Sequence, residues 1–269
     1  MKSARPCQSN VSCLMTSMNA FINLTKALAY REITTRYRRS FLGPLWAILQ
    51  PLLLMVVFTL LRGVIEIPSE GVPYVIFSYS ALVPWTFFTN SINRCGPSVL
   101  ANGNLIKKIN MPREVFPISA ILTSFFDFMM SSVVLLGMMV YFNVEFSLSL
   151  LWLPILLLTT SILAFGVGMF IASIGCFKRD IIIATPFIVQ IWLFATPVIY
   201  PTSSVPQKWI WLYTLNPMVG IIEGFRNVLV KGQSPNLELL FYSLVITLFV
   251  LLFTWPLFRW LSQYFADMM

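Results

Sequence analysis

"REITTRYRRSFLGPLWAILQPLLLMVVFTLLRG", residues 31–63, passes from four arginines into a 22-residue run, 40–61, that carries no charge. A helix needs about 20 residues to cross a hydrocarbon core of roughly 30 Å. The run is therefore long enough to span a membrane, and the arginines mark the end that stays in the cytoplasm. Gly43-Pro44 lies at the junction, where a chain that bends before starting a helix places such residues.

The rest of the chain repeats this pattern. Hydrophobic residues make up 58% and charged residues 10% of the 269 positions, and the mean hydropathy is +0.80. That composition excludes a water-soluble domain. Uncharged stretches at 71–93, 115–144 (broken only by Asp127), 146–177, 181–207 and 239–258 follow the first. The fold class expected is an all-α polytopic membrane protein, because helices satisfy their own backbone groups in lipid. Six spans are expected, at about 42–62, 72–92, 116–142, 150–174, 181–200 and 238–258.

With both termini in the cytoplasm, 14 of the 18 Lys and Arg residues fall on the cytoplasmic side, leaving Arg62, Lys208, Arg226 and Lys231 outside. The net charge of +8 is thus a topology signal rather than a nucleic-acid footprint. Residues 1–19 are expected to form a mobile cytoplasmic leader, since they hold no continuous apolar segment of the kind a secretory signal needs, and 259–269 a cytoplasmic tail. Cys7, Cys13, Cys95 and Cys176 have neither disulfide context nor metal-ligand spacing. The chain has no histidine, which removes imidazole zinc sites and His-dependent triads. It also lacks a G-x-x-x-x-G-K-[ST] phosphate loop, so ATP chemistry belongs to a partner.

Asp127, in "TSFFDFMMSS", is the single acid in the interior of the expected spans, Glu238 standing at the first position of the last one. An ion-coupled carrier usually shows several such charges. Either it is a functional site, or it sits near the end of a long span or bonds to Ser124 and Ser131. A segment at about 20–41 carries Phe21, Leu24 and Leu28 on one side and Lys26, Arg31 and Arg36 among its polar positions, and is expected to lie in the membrane interface.

Two loops carry further information. In "RCGPSVLANGNLIKKINMPRE", 94–114, Pro97 suits a first helical turn, and Leu105 and Ile109 share a face, giving a short amphipathic helix at about 97–110. Its lysines either anchor it to anionic lipid or flank an apolar stripe that plugs into another subunit. On the outer side, 201–235 holds uncharged stretches too short to span, read as re-entrant or interfacial helices at about 205–230. Trp209, Trp211 and Tyr213 there form either an aromatic belt or a sugar-stacking exit.

The chain resembles the permease subunit of type-2 ABC exporters, in the Wzm-type branch that exports O-antigen, capsule or teichoic acid chains. The resemblance is carried by "YREITTRYRRSFLGPLWAILQPLLLMVVF" (30–58), "NLIKKINMPREVFPIS" (104–119), "FKRDI" (177–181), "TPVIYP" (196–201) and "NPM" (216–218). It covers roughly residues 20–265. It implies a homodimer in a bacterial inner membrane, bound to two nucleotide-binding subunits that hold ATP and Mg, with no cofactor on this chain. The cargo implied is an undecaprenyl-diphosphate-linked polysaccharide. Under this resemblance Arg36, Arg38 and Arg39 clamp the diphosphate at the headgroup level, because guanidinium forks match phosphate oxygens, or else they only set topology.

The 97–110 helix, with Leu105, Ile106, Lys107, Lys108, Ile109, Arg113 and Glu114, then couples to the ATPase. Carbohydrate favours a wall of aromatic faces with neutral polar groups. The candidates are Trp46, Gln50 and Phe58 in the first span and Phe187, Gln190, Trp192, Phe194 and Tyr200 in the fifth. The alternatives are a drug or small-lipid exporter of the same superfamily, an ion-coupled carrier, or a lipid-linked glycosyltransferase. The last needs clustered carboxylates, and Glu66 with Glu70 is the nearest approach to a pair.

Overall fold

The computed structural model describes residues 10–38, 40–65, 68–69, 71–108 and 111–265, with side chains from 18 onward. Arg39, Glu66, Glu70, Ile109, the first nine residues and the last four of the tail lie outside the described residues. Those described form ten α-helices and two short 3-10 turns with no strand. In chain order the helices are α1 (Asn10–Tyr37), α2 (Leu45–Ile65), α3 (Tyr74–Ala101), α4 (Gly103–Lys108) and α5 (Val115–Tyr141). They continue with α6 (Leu153–Gly175), α7 (Asp180–Phe194), α8 (Gln207–Thr214), α9 (Pro217–Leu229) and α10 (Leu237–Ser262).

Among the described residues, four segments are long and apolar enough to cross a membrane: Leu45–Val64, Val115–Tyr141, Leu148–Gly175 and Leu237–Ser262. They tolerate hydroxyl side chains because those bond back to carbonyls of the preceding turn, as Thr160 does to Leu156 and Ser173 to Met169, both at 2.7 Å. Helix α3 is different. It is surrounded by α2, α5, α6, α7 and α9, and 20 of its 28 residues are buried. A helix enclosed on all sides needs no apolar stripe.

Small residues let α3 and α6 approach closely. A methyl on Gly168 would meet Cys95 Cβ at 2.5 Å, and one on Gly96 would meet Ile171 Cγ2 at 2.9 Å.

Three expected boundaries are corrected. Helix α3 continues through Arg94 and Pro97 to Ala101, so no new helix starts at Pro97, and the short one is only Gly103–Lys108. The charge of Arg94 does not end α3 because Asp127 of α5 neutralises it. Helix α1 reaches back to Asn10, so the second half of the expected leader is helical. Its last turns also pack along α5. Glu32 meets Thr123 and Tyr37 meets Asp127, so α1 advances in step with α5. The buried positions Thr25, Leu28, Ala29 and Tyr37 explain this docking.

Two apolar clusters hold the subunit together. The larger surrounds α3. The smaller joins Leu28 of α1, Ile106 of α4, Val115 and Phe116 of α5, and Phe258 and Phe265 at the end of the chain.

On the other side, α9 begins at Asn216-Pro217, where the Asn216 side chain accepts from the Met218 N–H at 3.1 Å and Pro occupies the first turn. Eleven of its 13 residues are buried. Helix α8 holds no buried residue.

Candidate functional site

Asp127 lies twelve residues into α5, about 18 Å along the helix from Val115. An acid at that depth in an apolar helix needs partners, and three groups from two neighbouring helices supply them. Tyr37 Oη of α1 donates to Oδ1 at 2.5 Å. Arg94 of α3 forms an ion pair with Oδ2 and donates to Ser124 Oγ at 3.3 Å. Arg36 Nη1 stands 3.7 Å from the same Oδ2. Asp127 is therefore neither at a helix end nor bonded through its carboxylate to a serine. The Ser131 hydroxyl instead reaches the backbone carbonyls of Ala47 (2.8 Å) and Asp127 (3.1 Å), tying α2 to the same level.

Burial, and then the carboxylate it donates to, push the Tyr37 phenol well above its ordinary range, so it remains a donor. Burial likewise raises Glu32, against the opposing effect of its Thr123 hydrogen bond and of Arg36 and Arg31.

Arg36 forms part of the wall of two cavities. One, of about 600 Å³, is lined by Arg36, Tyr37, Ser40, Trp46, Gln50 and Leu53. The other, of about 510 Å³, includes Arg31, Glu32, Arg36, Asn93, Arg94 and Asn102. The Arg36 side chain is 44% exposed, against 10% for Arg94 and 5% for Asp127. Asp127 is thus committed to Arg94, while Arg36 keeps donors free to face a cavity. The structure brings Arg36 together with Trp46 and Gln50. Arg38 is exposed and lines neither cavity. Through its contact with Asp127, Arg36 lies level with the middle of α5.

Chain geometry explains the first cavity. Gly43 has φ +51°, a left-handed value that favours glycine, and with Pro44 it turns the chain from α1 into α2. This sets Trp46 in the first turn of α2, close to the end of α1.

One expected channel residue, Phe58, is corrected. Phe58 is 6% exposed and belongs to the core around α3. Trp192 is half-buried: its Nε1 donates to Asn216 Oδ1 at 3.0 Å and its ring meets Phe88 edge-on at 5.2 Å. It braces α7 against the start of α9. Phe187, Gln190 and Phe194 are exposed on α7. Tyr200 is half-buried, donating to the Phe194 carbonyl at 2.9 Å and accepting from Tyr213 Oη at 3.2 Å. Tyr200, Trp209, Leu212, Tyr213 and Asn216 line a further cavity of about 490 Å³, whereas Trp211 is exposed outside it.

In α4, Ile106 is buried and Leu105 half-buried in the smaller cluster, so both pack on this chain's own core, while Ile109, the other expected member of the apolar stripe, lies outside the described residues. What α4 presents outward is Lys107 and Lys108. Arg113 lies over the Phe265 ring at 5.8 Å, and Glu114 accepts from Arg259 Nε at 3.1 Å. Sequence reasoning missed Tyr37 and Arg94. A single acid inside a span was itself the signal to look for a basic partner.

The family model for "ABC-2 type transporter" matches residues 23–230. The chain is 27% identical over 220 residues to an O-antigen export system permease protein RfbA of Klebsiella pneumoniae, covering 80% of this chain and 83% of that relative. It is 27% identical over 228 residues to RfbA of Myxococcus xanthus (84% and 87% covered) and 27% identical over 238 residues to the polysialic acid transport protein KpsM of Escherichia coli (84% and 89%). The matched residues take in the α1–α5 site and the buried α9, and on that breadth the chain belongs to the ABC-2 type transporter family.

Proposed function

We propose that this chain is the permease of an ATP-driven exporter that moves a lipid-diphosphate-linked polysaccharide, O-antigen-like in class, across the bacterial inner membrane. Two copies of the chain enclose the path, and two nucleotide-binding subunits carry ATP and Mg. All hydrolysis takes place on those subunits. The six spans of this reading are α2, α3, α5, α6, α7 and α10, with both termini cytoplasmic. At 15 residues α7 is about 22 Å long, and the chain after it must complete the crossing.

The observation that carries the reading is the cavity in which Arg36 meets Trp46 and Gln50. A guanidinium offers phosphate a planar set of donors. An indole face and a neutral amide suit sugar, giving contact without the fixed charge that holds a passing chain in place. The names of the relatives, O-antigen and polysialic acid transport proteins, supply the substrate class.

The test replaces Arg36, Arg38 and Arg39 with lysine. Charge and orientation survive while the planar fork is lost. In vesicles holding the permease and its ATPase partner, export of lipid-linked polymer falls, and cysteine accessibility shows an unchanged topology. Full export by the correctly oriented lysine variant reduces these residues to topology signals. ATP-independent, gradient-driven movement would identify a carrier instead.

A further inference from the structure

Arg36 is the group of the Asp127 cluster with the most freedom. Asp127 is already engaged by Tyr37 and Arg94, and its link to Arg36 is long, 3.7 Å, with Arg36 nearly half exposed at a cavity wall. This is the geometry of a weak, replaceable counter-ion. A phosphate in the cavity with Trp46 and Gln50 offers Arg36 more charge and better donor geometry than a carboxylate oxygen at 3.7 Å. When the phosphate moves on, Asp127 is positioned to take the guanidinium back.

We propose that Asp127 is a positioning residue for Arg36, holding it at the cavity wall when the site is empty and competing with the diphosphate so that the grip is released. The proposal rests on the reading that Arg36 receives the lipid diphosphate. Tyr37 and Arg94 set the strength of the competition, because each occupies part of the carboxylate. They also make two substitutions act in opposite directions. Removing the carboxylate together with Arg94, as D127N/R94Q, avoids stranding a buried charge and leaves Arg36 without a competitor. Y37F removes one donor from Asp127 without altering charge, so more of the carboxylate is available to Arg36.

The experiment uses the complete transporter with its ATPase partner. Binding is read with geranylgeranyl diphosphate, and turnover with lipid-linked polymer. D127N/R94Q is expected to tighten probe binding about fivefold, the scale of one half-exposed ion pair, and to lower KM and kcat together because release is slowed. Y37F is expected to raise KM while kcat holds or rises. Loosening of helix packing alone cannot lower KM in the first variant, and it lowers kcat in the second. Unchanged or weaker binding in D127N/R94Q overturns the proposal. If that variant fails to fold, a Y37F transporter with lowered kcat and unchanged KM overturns it.

A wild-type transporter that does not bind the probe sinks the diphosphate reading and this proposal together, whereas wild-type binding that ignores both substitutions sinks the proposal alone. Displacement of the probe by phosphatidylglycerol at equal concentration assigns Arg36 to a phospholipid headgroup and also overturns it.

Discussion

The guanidinium of Arg226 lies 3.8 Å from the centroid of the Phe77 ring, joining α9 to the central helix α3. The residue is fully buried. Its Nη2 donates to the carbonyls of Pro197 (2.7 Å) and Val198 (3.3 Å), and Glu223, one turn earlier, stands 3.8 Å from Nη1. Glu223 in turn accepts from Thr202 Oγ1 at 2.6 Å. Tyr74 of α3 donates to the Ile199 carbonyl at 2.9 Å. The loop from α7 to α8 is thereby pinned from both sides.

Replacing Arg226 with Met leaves the inward-facing charge of Glu223 poorly compensated and is expected to cost about 3 kcal/mol, the lower end for breaking a buried pair, because Lys231 also stands 3.8 Å from Glu223. Adding Glu223→Gln should recover part of the loss. Phe77→Leu, which removes the ring face, is expected to cost about 2 kcal/mol. Thermal melts of detergent-purified protein measure all three. Additive losses in the double variant would show that the pair is not coupled.

The outward lysines of α4 make a second prediction. Lys107→Glu with Lys108→Glu should leave the stability within about 0.5 kcal/mol of wild type, as surface changes do, while lowering co-purification with the ATPase partner. Ile106→Asp should instead destabilise the whole smaller apolar cluster, since it places a charge among Leu28, Phe116 and Phe265. If the lysine variant assembles and exports normally, α4 does not present its lysines to the partner.

Charge gaps revealed the helical class, because the bilayer limits which segments can be uncharged and how long they run. The Asn216-Pro217 start of α9 was legible for a local reason: both residues stabilise a helix N-terminus. The end of α3 was not. Arg94 looked like a boundary, and only its pairing with an acid 33 residues away lets the helix continue. Ile106 and Phe58 show the same limit. Periodicity identifies an apolar face, but whether that face meets its own chain, a partner or a substrate depends on packing between elements distant in sequence.

Glu32 provides a pH test. It is held above its ordinary range by burial, with Asp127 adding to the shift and Thr123, Arg36 and Arg31 opposing it. The folded protein therefore holds this proton more tightly than the unfolded chain does. Its stabilising contribution is full below the unfolded carboxylate pKa and is lost as pH rises through the raised value. Glu32→Gln imitates the protonated form. Its thermal midpoint should exceed that of wild type at pH 8 and converge with it near pH 4, and a difference constant across that range would exclude titration of Glu32 as the cause.

Trp46 and Phe58, both on α2, separate a lining role from a packing role. Phe58 is buried in the core around α3, so Phe58→Ala should cost about 3–5 kcal/mol through lost burial and the cavity left behind. Trp46 is 48% exposed and borders the Arg36 cavity. Trp46→Ala therefore removes a wall without opening the core, and its stability loss should be well below that of Phe58→Ala. Its effect should appear in export, where a sugar chain entering beside Arg36 loses an aromatic face worth about 1 kcal/mol, taken from the scale of aromatic pairs, or roughly a fivefold drop in the apparent affinity for polymer. Trp46→Phe keeps a ring face and should recover most of that affinity. Melting curves and ATP-dependent export measured on the same preparations test the distinction, and an export defect in Trp46→Ala that tracks its loss of thermal stability would assign Trp46 to packing instead.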